Sequence, residues 1–227
     1  MATVPEEHIV QIIAAEYITH NVRRFKLSRP AGYTFQPGQA TEISINKEGW
    51  TNERRPFTFT GLQNWDHLEF TIKIYSDHDG VTARLGTLQP GDELLLHDVW
   101  GTITYKGEGV FIAGGAGVTP FIAILRDLYK QHQLSNSKLI FSNRTAKDII
   151  LKDEFEMMLG TRFINTLTQD TTAGYDHRKI DAEYLKERLT DFSSYFYICG
   201  PDPMVAALHQ TLLSLNVAEE KIVIEQF

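Results

Sequence analysis

Val110-Phe111-Ile112-Ala113 runs directly into Gly114-Gly115-Ala116-Gly117-Val118-Thr119-Pro120, and a helical pattern follows over 121–131. Four apolar residues without polar alternation read as a strand covered on both faces. Glycines let a backbone approach a pyrophosphate, and proline suits the head of a helix, where its missing N–H would find no intrahelical partner. Strand, glycine turn and helix start, in that order, are the context that a dinucleotide-binding turn requires. A merely tight connection between strand and helix has the same outline. Two details depart from the usual fingerprint: Pro120 stands where its third glycine falls, and the second strand ends at Asn143-Arg144 instead of at an acid for the ribose hydroxyls.

Beyond this turn the rhythm of strand and helix continues, with strands over 138–143, 163–167, 195–199 and 221–225 and helices over 152–159, 181–189 and 204–215. Apolar strands alternating with helices predict a doubly wound parallel sheet. Before Gly107 the pattern differs. Short β-rich runs over 9–14, 22–27, 40–45, 57–60, 68–75, 93–97 and 102–105 are separated by turns such as Pro37-Gly38 and Pro90-Gly91, which predicts an antiparallel barrel or sandwich. Within this half, 80–88 reads as a short helix. The expected organisation is a β domain over 1–106 followed by an α/β domain over 107–227.

The chain has 227 residues, long enough for two ordinary cores. Its net charge of −7, with no basic block, argues against a nucleic-acid partner. No apolar run reaches the ~18 residues of a membrane span and the acidic N-terminus lacks an apolar leader segment, so a cytoplasmic protein is expected. One cysteine, Cys199, excludes internal disulfides and an iron–sulfur cluster held by four thiolates of this chain, and the scattered histidines show no zinc-binding pattern. Redox chemistry would therefore come from an organic cofactor, and no metal site is expected.

Several short motifs surround the turn. Arg55-Pro56-Phe57-Thr58 combines a cation for a pyrophosphate, an aromatic plane and a hydroxyl. Strand alternation separates Arg55 and Phe57 from Thr58, so a site using all three requires a bend near Pro56; an ordinary edge strand is the alternative. Gly80-Val81-Thr82 opens the short helix, where free amides meet a second phosphate or Asp79 forms a plain cap. Cys199-Gly200-Pro201-Asp202-Pro203-Met204 again joins a buried strand to a helix. The switch-point rule brings Cys199 beside the turn at Gly115.

The order Arg-Pro-Phe-Thr, Gly-Val-Thr, Pro-Gly-Asp, Gly-Gly-Ala-Gly-Val-Thr-Pro, Cys-Gly-Pro-Asp-Pro-Met and a terminal Glu-Gln-Phe resembles the ferredoxin-NADP reductase family over nearly the whole chain. The resemblance implies an FAD-binding antiparallel β-barrel followed by a nicotinamide-nucleotide domain, with the two rings meeting between them. It assigns Arg55 and Pro56 to the FAD pyrophosphate segment, Phe57 to the isoalloxazine, Thr58 to flavin N5, and Gly80, Val81 and Thr82 to a second phosphate contact. On the coenzyme side it implies Gly115, Gly117, Thr119, Pro120, Asn143, Arg144, Gly200, Pro201 and Met204. Cys199 and Glu225 would shape the nicotinamide pocket, and Phe227 would act as a displaceable cover over the flavin.

The implied reaction is hydride transfer from NADPH or NADH to FAD and then electron transfer to a separate acceptor, a ferredoxin or flavodoxin. A basic cluster at Arg23, Arg24, Lys26 and Arg29 would meet an acidic partner, or is simply a solvated strand face. Alternative acceptors are a ferric chelate, a quinone or a free flavin, and a different class of reading is a non-catalytic flavin-binding redox subunit. Asp98-Val99-Trp100-Gly101 replaces the Gly-Pro-x-Gly of many relatives, and Trp100 either stacks on adenine or fills the barrel mouth. Coenzyme choice stays open: Asp170 would repel a 2′-phosphate, whereas Ser142, Arg144 and Lys147 supply a hydroxyl and two cations.

Overall fold

The computed structural model describes residues 7–77, 79–101 and 103–225. The chain divides into two compact units, Met1–Thr102 and Ile103–Phe227. In the first, β1 (His8–Tyr17), β2 (Val22–Ser28), β3 (Gln39–Ile45), β4 (Arg55–Thr58), β5 (His67–Lys73) and β6 (Glu93–Gly101) form one antiparallel sheet in the order β4-β3-β6-β1-β2-β5. Helix α1 (Val81–Leu85) follows β5. Alternate residues turn Val10, Ile12, Phe25, Leu27, Ile43, Phe70, Leu94 and Leu96 into a common core, where the ring of Phe59 stacks on Phe35 at 4.1 Å.

The sheet is barrel-like but not closed. Phe59 N–H still donates to the Gln39 carbonyl of β3 at 3.0 Å, but the residue also forms an isolated bridge with Phe70, and Thr60 N–H donates to the Glu69 carbonyl at 2.9 Å. The chain passes from β3 toward the Glu69–Phe70 backbone over Phe59 and Thr60, so the strand expected over 57–60 forms its regular ladder with β3 over Arg55–Thr58. The expected strand over 102–105 is absent among the described residues 103–105, because the next segment is held by a side chain. Lys106 and Gly107 N–H both donate to the phenol oxygen of Tyr197, and that phenol donates to the Gly107 carbonyl at 2.7 Å. One hydroxyl thus takes the place of ladder partners.

The second unit contains β7 (Gly109–Gly114), α2 (Thr119–Lys130), β8 (Lys138–Asn143), α3 (Lys152–Leu159), β9 (Phe163–Leu167), α4 (Ala182–Arg188), β10 (Tyr195–Cys199), α5 (Asp202–Ser214) and β11 (Ile222–Ile224). Its parallel sheet runs β11-β10-β7-β8-β9, so strand order reverses between β7 and β10. One face packs Ile112, Ile140, Phe196 and Ile198 against Tyr184, Leu185, Leu208 and Leu212 of α4 and α5. On the alternate residues Phe111 stacks on Tyr197 at 4.5 Å and meets Phe121 of α2 edge-on. No helix among the described residues is long and apolar enough to cross a membrane.

Each unit buries a tyrosine whose burial pushes its phenol up to about 12: Tyr33, which donates to the His97 carbonyl at 3.0 Å, and Tyr197. A phenol held above its unfolded value of about 10 contributes stability that is intact below that pH and disappears as pH rises toward 12. Each should cost about 3 kcal/mol by then. Base titration followed by circular dichroism and phenolate absorbance should therefore show cooperative unfolding beginning above about pH 10. Complete tyrosine ionisation with an unchanged dichroism spectrum would contradict this.

Candidate functional site

At the carboxyl end of β7 the chain turns through a 3-10 segment, Gly115–Val118, into α2. Four nearby glycines do different work. Gly115 has φ +52°, and a Cβ placed on it would meet nothing within 4 Å, so its backbone faces open space in a conformation that favours glycine. A Cβ on Gly117 would lie 2.4 Å from the Cys199 carbonyl oxygen and 2.6 Å from Gly200 Cα. One on Gly114 would lie 2.5 Å from Met204 Sδ, and Gly200 itself approaches the Gly114 backbone. Gly114, Gly117 and Gly200 therefore let the loops after β7 and β10 pack together. Of the turn's glycines, only Gly115 and Gly117 were singled out from sequence, and of these only Gly115 has the space a ligand needs.

Other expected coenzyme residues are placed as follows. The Thr119 hydroxyl donates to the Ala116 carbonyl at 3.0 Å, tightening the turn, and buried Pro120 is the second residue of α2, not the first. Pro201 precedes α5, whose first turn offers no side-chain cap. Asn143, 4% exposed at the end of β8, has neither amide atom hydrogen-bonded. An orphaned buried amide is costly and points to a polar partner outside the chain. Arg144 is exposed. A pyridine nucleotide fits these features, with Gly115 for its phosphates and Asn143 for a polar group.

Cys199 ends β10, is 3% exposed, and its thiol lies 2.8 Å from Oε2 of Glu225 beyond β11. Burial first, then the facing carboxylate, raises the thiol's pKa far above its usual value. The sulfur is therefore a hydrogen-bond donor and not a thiolate nucleophile. Phe227 lies outside the described residues.

In the first unit, Arg55 to Thr58 form a regular four-residue ladder with β3, without the bend expected near Pro56. The irregularity is one strand away, where β6 bulges at His97 and Asp98 opposite Glu42. Thr58 is 8% exposed, Phe57 packs on the edge of the core, and the Arg55 guanidinium is half exposed, bonded to its neighbour's carbonyl and 3.8 Å from Glu53. Gly80 is the N-cap of helix α1 and no side chain caps the helix, so the plain Asp79 cap is not formed; Val81 is buried and Thr82 half-buried. Available cationic and amide donors in β4 and α1 suit the phosphates of FAD.

The basic cluster needs correcting as a docking patch. Arg23 is 4% exposed and donates to the Leu85 and Gly86 carbonyls at 3.1 and 2.9 Å, capping the end of α1. Arg24 pairs with Glu16, and Arg29 bonds the carbonyls of Tyr33, Gln63 and Trp65. Three of the four cations are therefore committed within the unit.

Residues 111–210 match the family described as the oxidoreductase NAD-binding domain. The reductase component of propane 2-monooxygenase from Rhodococcus jostii is 27% identical over 96% of this chain and 62% of its own. This chain thus spans about three fifths of that relative's length. Rat NADH-cytochrome b5 reductase 1 is 25% identical over 95% of this chain and 84% of its own. Among solved structures, a ferredoxin NADP+ reductase from Neisseria gonorrhoeae with bound FAD and NADP superposes with a TM-score of 0.83, covering 96% of this chain and 98% of that one at 24% identity. Over nearly its whole length the chain is similar to ferredoxin-NADP reductase-like FAD/NAD-binding oxidoreductases.

Two structural contributors escaped the sequence reading. Tyr197 looks like one more apolar strand residue, and only its contacts reveal the hydroxyl's role. Gly114 was quoted in the turn, yet its part in seating Met204 has no signal in the motif.

Proposed function

We propose that this chain is an NAD(P)H-dependent flavin oxidoreductase, with FAD held by the first unit and the pyridine nucleotide by the second. The observation that carries this reading is the open left-handed turn at Gly115, joined through Gly117 to the backbone of Cys199, whose thiol faces Glu225. When bound, FAD supplies hydride acceptance and the passage of electrons onward. The chain's residues supply binding and orientation. Gly115 and Asn143 receive the nucleotide; Cys199, kept as a neutral donor by Glu225, lines the nicotinamide side; Arg55 holds the flavin phosphates while Phe57 and Thr58 face the ring system.

The electron acceptor in this reading is a separate redox protein of the ferredoxin or flavodoxin kind. Relatives that serve as reductase components of oxygenases support a protein acceptor. With Arg23, Arg24 and Arg29 engaged internally, docking does not rest on the strand β2 cluster. Turnover with a ferredoxin or flavodoxin should therefore exceed that with a ferric chelate, a quinone or free flavin. The reverse order would identify a small-molecule reductase.

Anaerobic mixing of the purified yellow protein with NADH or NADPH should bleach the flavin band near 450 nm, a direct readout of hydride transfer. A colourless protein, or colour that neither coenzyme bleaches, would overturn the reading. Arg55→Ala should weaken FAD retention by about tenfold or more, since a charge-assisted phosphate contact is worth about 1.5–3 kcal/mol. Flavin content after dialysis measures this, and full retention would remove Arg55 from the site.

A further inference from the structure

We propose that Tyr197 is a positioning residue for hydride transfer, its hydroxyl fastening to β10 the segment by which the chain enters the second unit. This rests on the oxidoreductase reading above, in which FAD is held by the first unit and the coenzyme by the second. Lys106-Gly107-Glu108-Gly109 places two glycines among four residues of that segment, the composition of a flexible joint. By composition alone, the chain would hinge there.

The structure uses both glycines for contact instead. A Cβ on Gly109 would lie 2.1 Å from the Tyr195 carbonyl oxygen, and one on Gly107, where φ is +146°, would lie 3.2 Å from the Tyr195 ring. Between them the Glu108 carbonyl accepts from Tyr195 N–H at 3.3 Å. The Tyr197 phenol oxygen accepts from Lys106 N–H at 2.9 Å and from Gly107 N–H at 3.0 Å, and it donates to the Gly107 carbonyl at 2.7 Å. Its donor and acceptor capacity is directed at two adjacent residues. The second unit begins at Ile103, so the fastened residues are among its first.

The hydroxyl is itself held in place. Tyr197 is 0% exposed, and its ring stacks on Phe111 at 4.5 Å and on Tyr105, the residue just before the fastened pair, at 6.0 Å. Two residues further along the same strand, β10 ends at Cys199, assigned above to the nicotinamide side. One strand thus carries both the fastening and the coenzyme side of the reaction. Hydride transfer requires the reacting atoms to be held roughly 3–3.5 Å apart. The hydride leaves a coenzyme on the second unit for FAD on the first, so freedom in the connecting segment becomes freedom in that distance. Without the phenol oxygen the Lys106 and Gly107 amides lose their acceptor, and Gly107 regains the conformational range of a glycine.

Tyr197→Phe keeps the ring stacks and removes only the oxygen. In the flavin-loaded protein, flavin content and calorimetric affinity for ADP-ribose should stay within about twofold, while anaerobic flavin reduction at saturating coenzyme slows by roughly fivefold or more. The kinetic isotope effect with 4-deuterated coenzyme should become steeper with temperature, because a looser donor–acceptor distance must be compressed before transfer. A purely structural role would lower the melting temperature and the ADP-ribose affinity but leave the isotope effect unmoved, and that result overturns the proposal. So does a slowing of less than roughly fivefold. A second measurement needs no variant. In the unsubstituted protein the Lys106 and Gly107 amides should exchange with deuterium as slowly as those of β7, and exchange at the rate of an exposed loop overturns the proposal even if Tyr197→Phe does not fold. If the flavin is reduced equally fast in both forms, the oxidoreductase reading stands and the assignment of Tyr197 falls. If neither NADH nor NADPH reduces the flavin of the unsubstituted protein, the oxidoreductase reading is what fails.

Discussion

Gly117→Ala is expected to lower the melting temperature by roughly 6–12 °C, the equivalent of about 3 kcal/mol in a chain of this size. The added methyl would sit 2.4 Å from the carbonyl oxygen and 2.5 Å from the carbonyl carbon of Cys199. Both obstacles are backbone atoms of β10, which is held in register by pairing with β7 on one side and β11 on the other. No side-chain rotamer change can make room, so the loops must separate or the sheet must shift. Gly115→Ala gives the contrast. It meets no neighbour, and its penalty is the roughly 1–2 kcal/mol of left-handed backbone in a non-glycine residue. The first variant should chiefly lose stability, and the second should chiefly lose pyridine-nucleotide affinity. Melting of Gly117→Ala within about 2 °C of the unsubstituted protein would refute the seam between the two loops.

The second large effect is expected at Glu225. Glu225→Ala leaves the buried Cys199 thiol without the carboxylate that orients it, and flavin reduction by the preferred coenzyme should slow on the order of 100-fold. Misplacement of a group lining a hydride-transfer site acts on rate through geometry, so FAD content should be retained while the single-turnover rate falls. Because the thiol and carboxylate act as one unit, Cys199→Ala combined with Glu225→Ala should be no slower than the slower single variant. Additive losses would show that the two act separately. A single-turnover rate within threefold in Glu225→Ala would remove the pair from the coenzyme site.

Much of the second unit was legible because its strands are continuous apolar runs. The expected segments 138–143, 163–167 and 195–199 coincide with β8, β9 and β10, and 152–159 with α3. The first unit was legible in its rhythm but not in its closure. Nothing local to Phe59 announces that it bridges β3 and Phe70, since the second partner lies eleven positions away. The arginines of β2 misled for a related reason. Arg23 carries a charge, yet its carbonyl partners lie at Leu85 and Gly86, and no spacing rule joins them. Asp170 belongs to the same class: its position against Ala146 follows from two loops leaving adjacent parallel strands. The glycine motif, read initially as a phosphate cradle, proves divided between one open position and several packing positions.

Strand β4 pairs with β3 and stands at the end of the sheet order. A free strand margin is a template on which another chain can add itself, and proteins blunt such margins with proline and charge. Pro56 contributes no N–H to a would-be neighbour, and Arg55, half exposed beside it, discourages an apolar strand from docking. The four residues proposed to hold the flavin phosphates therefore also disfavour strand addition at this β margin, an effect that does not depend on a bound flavin.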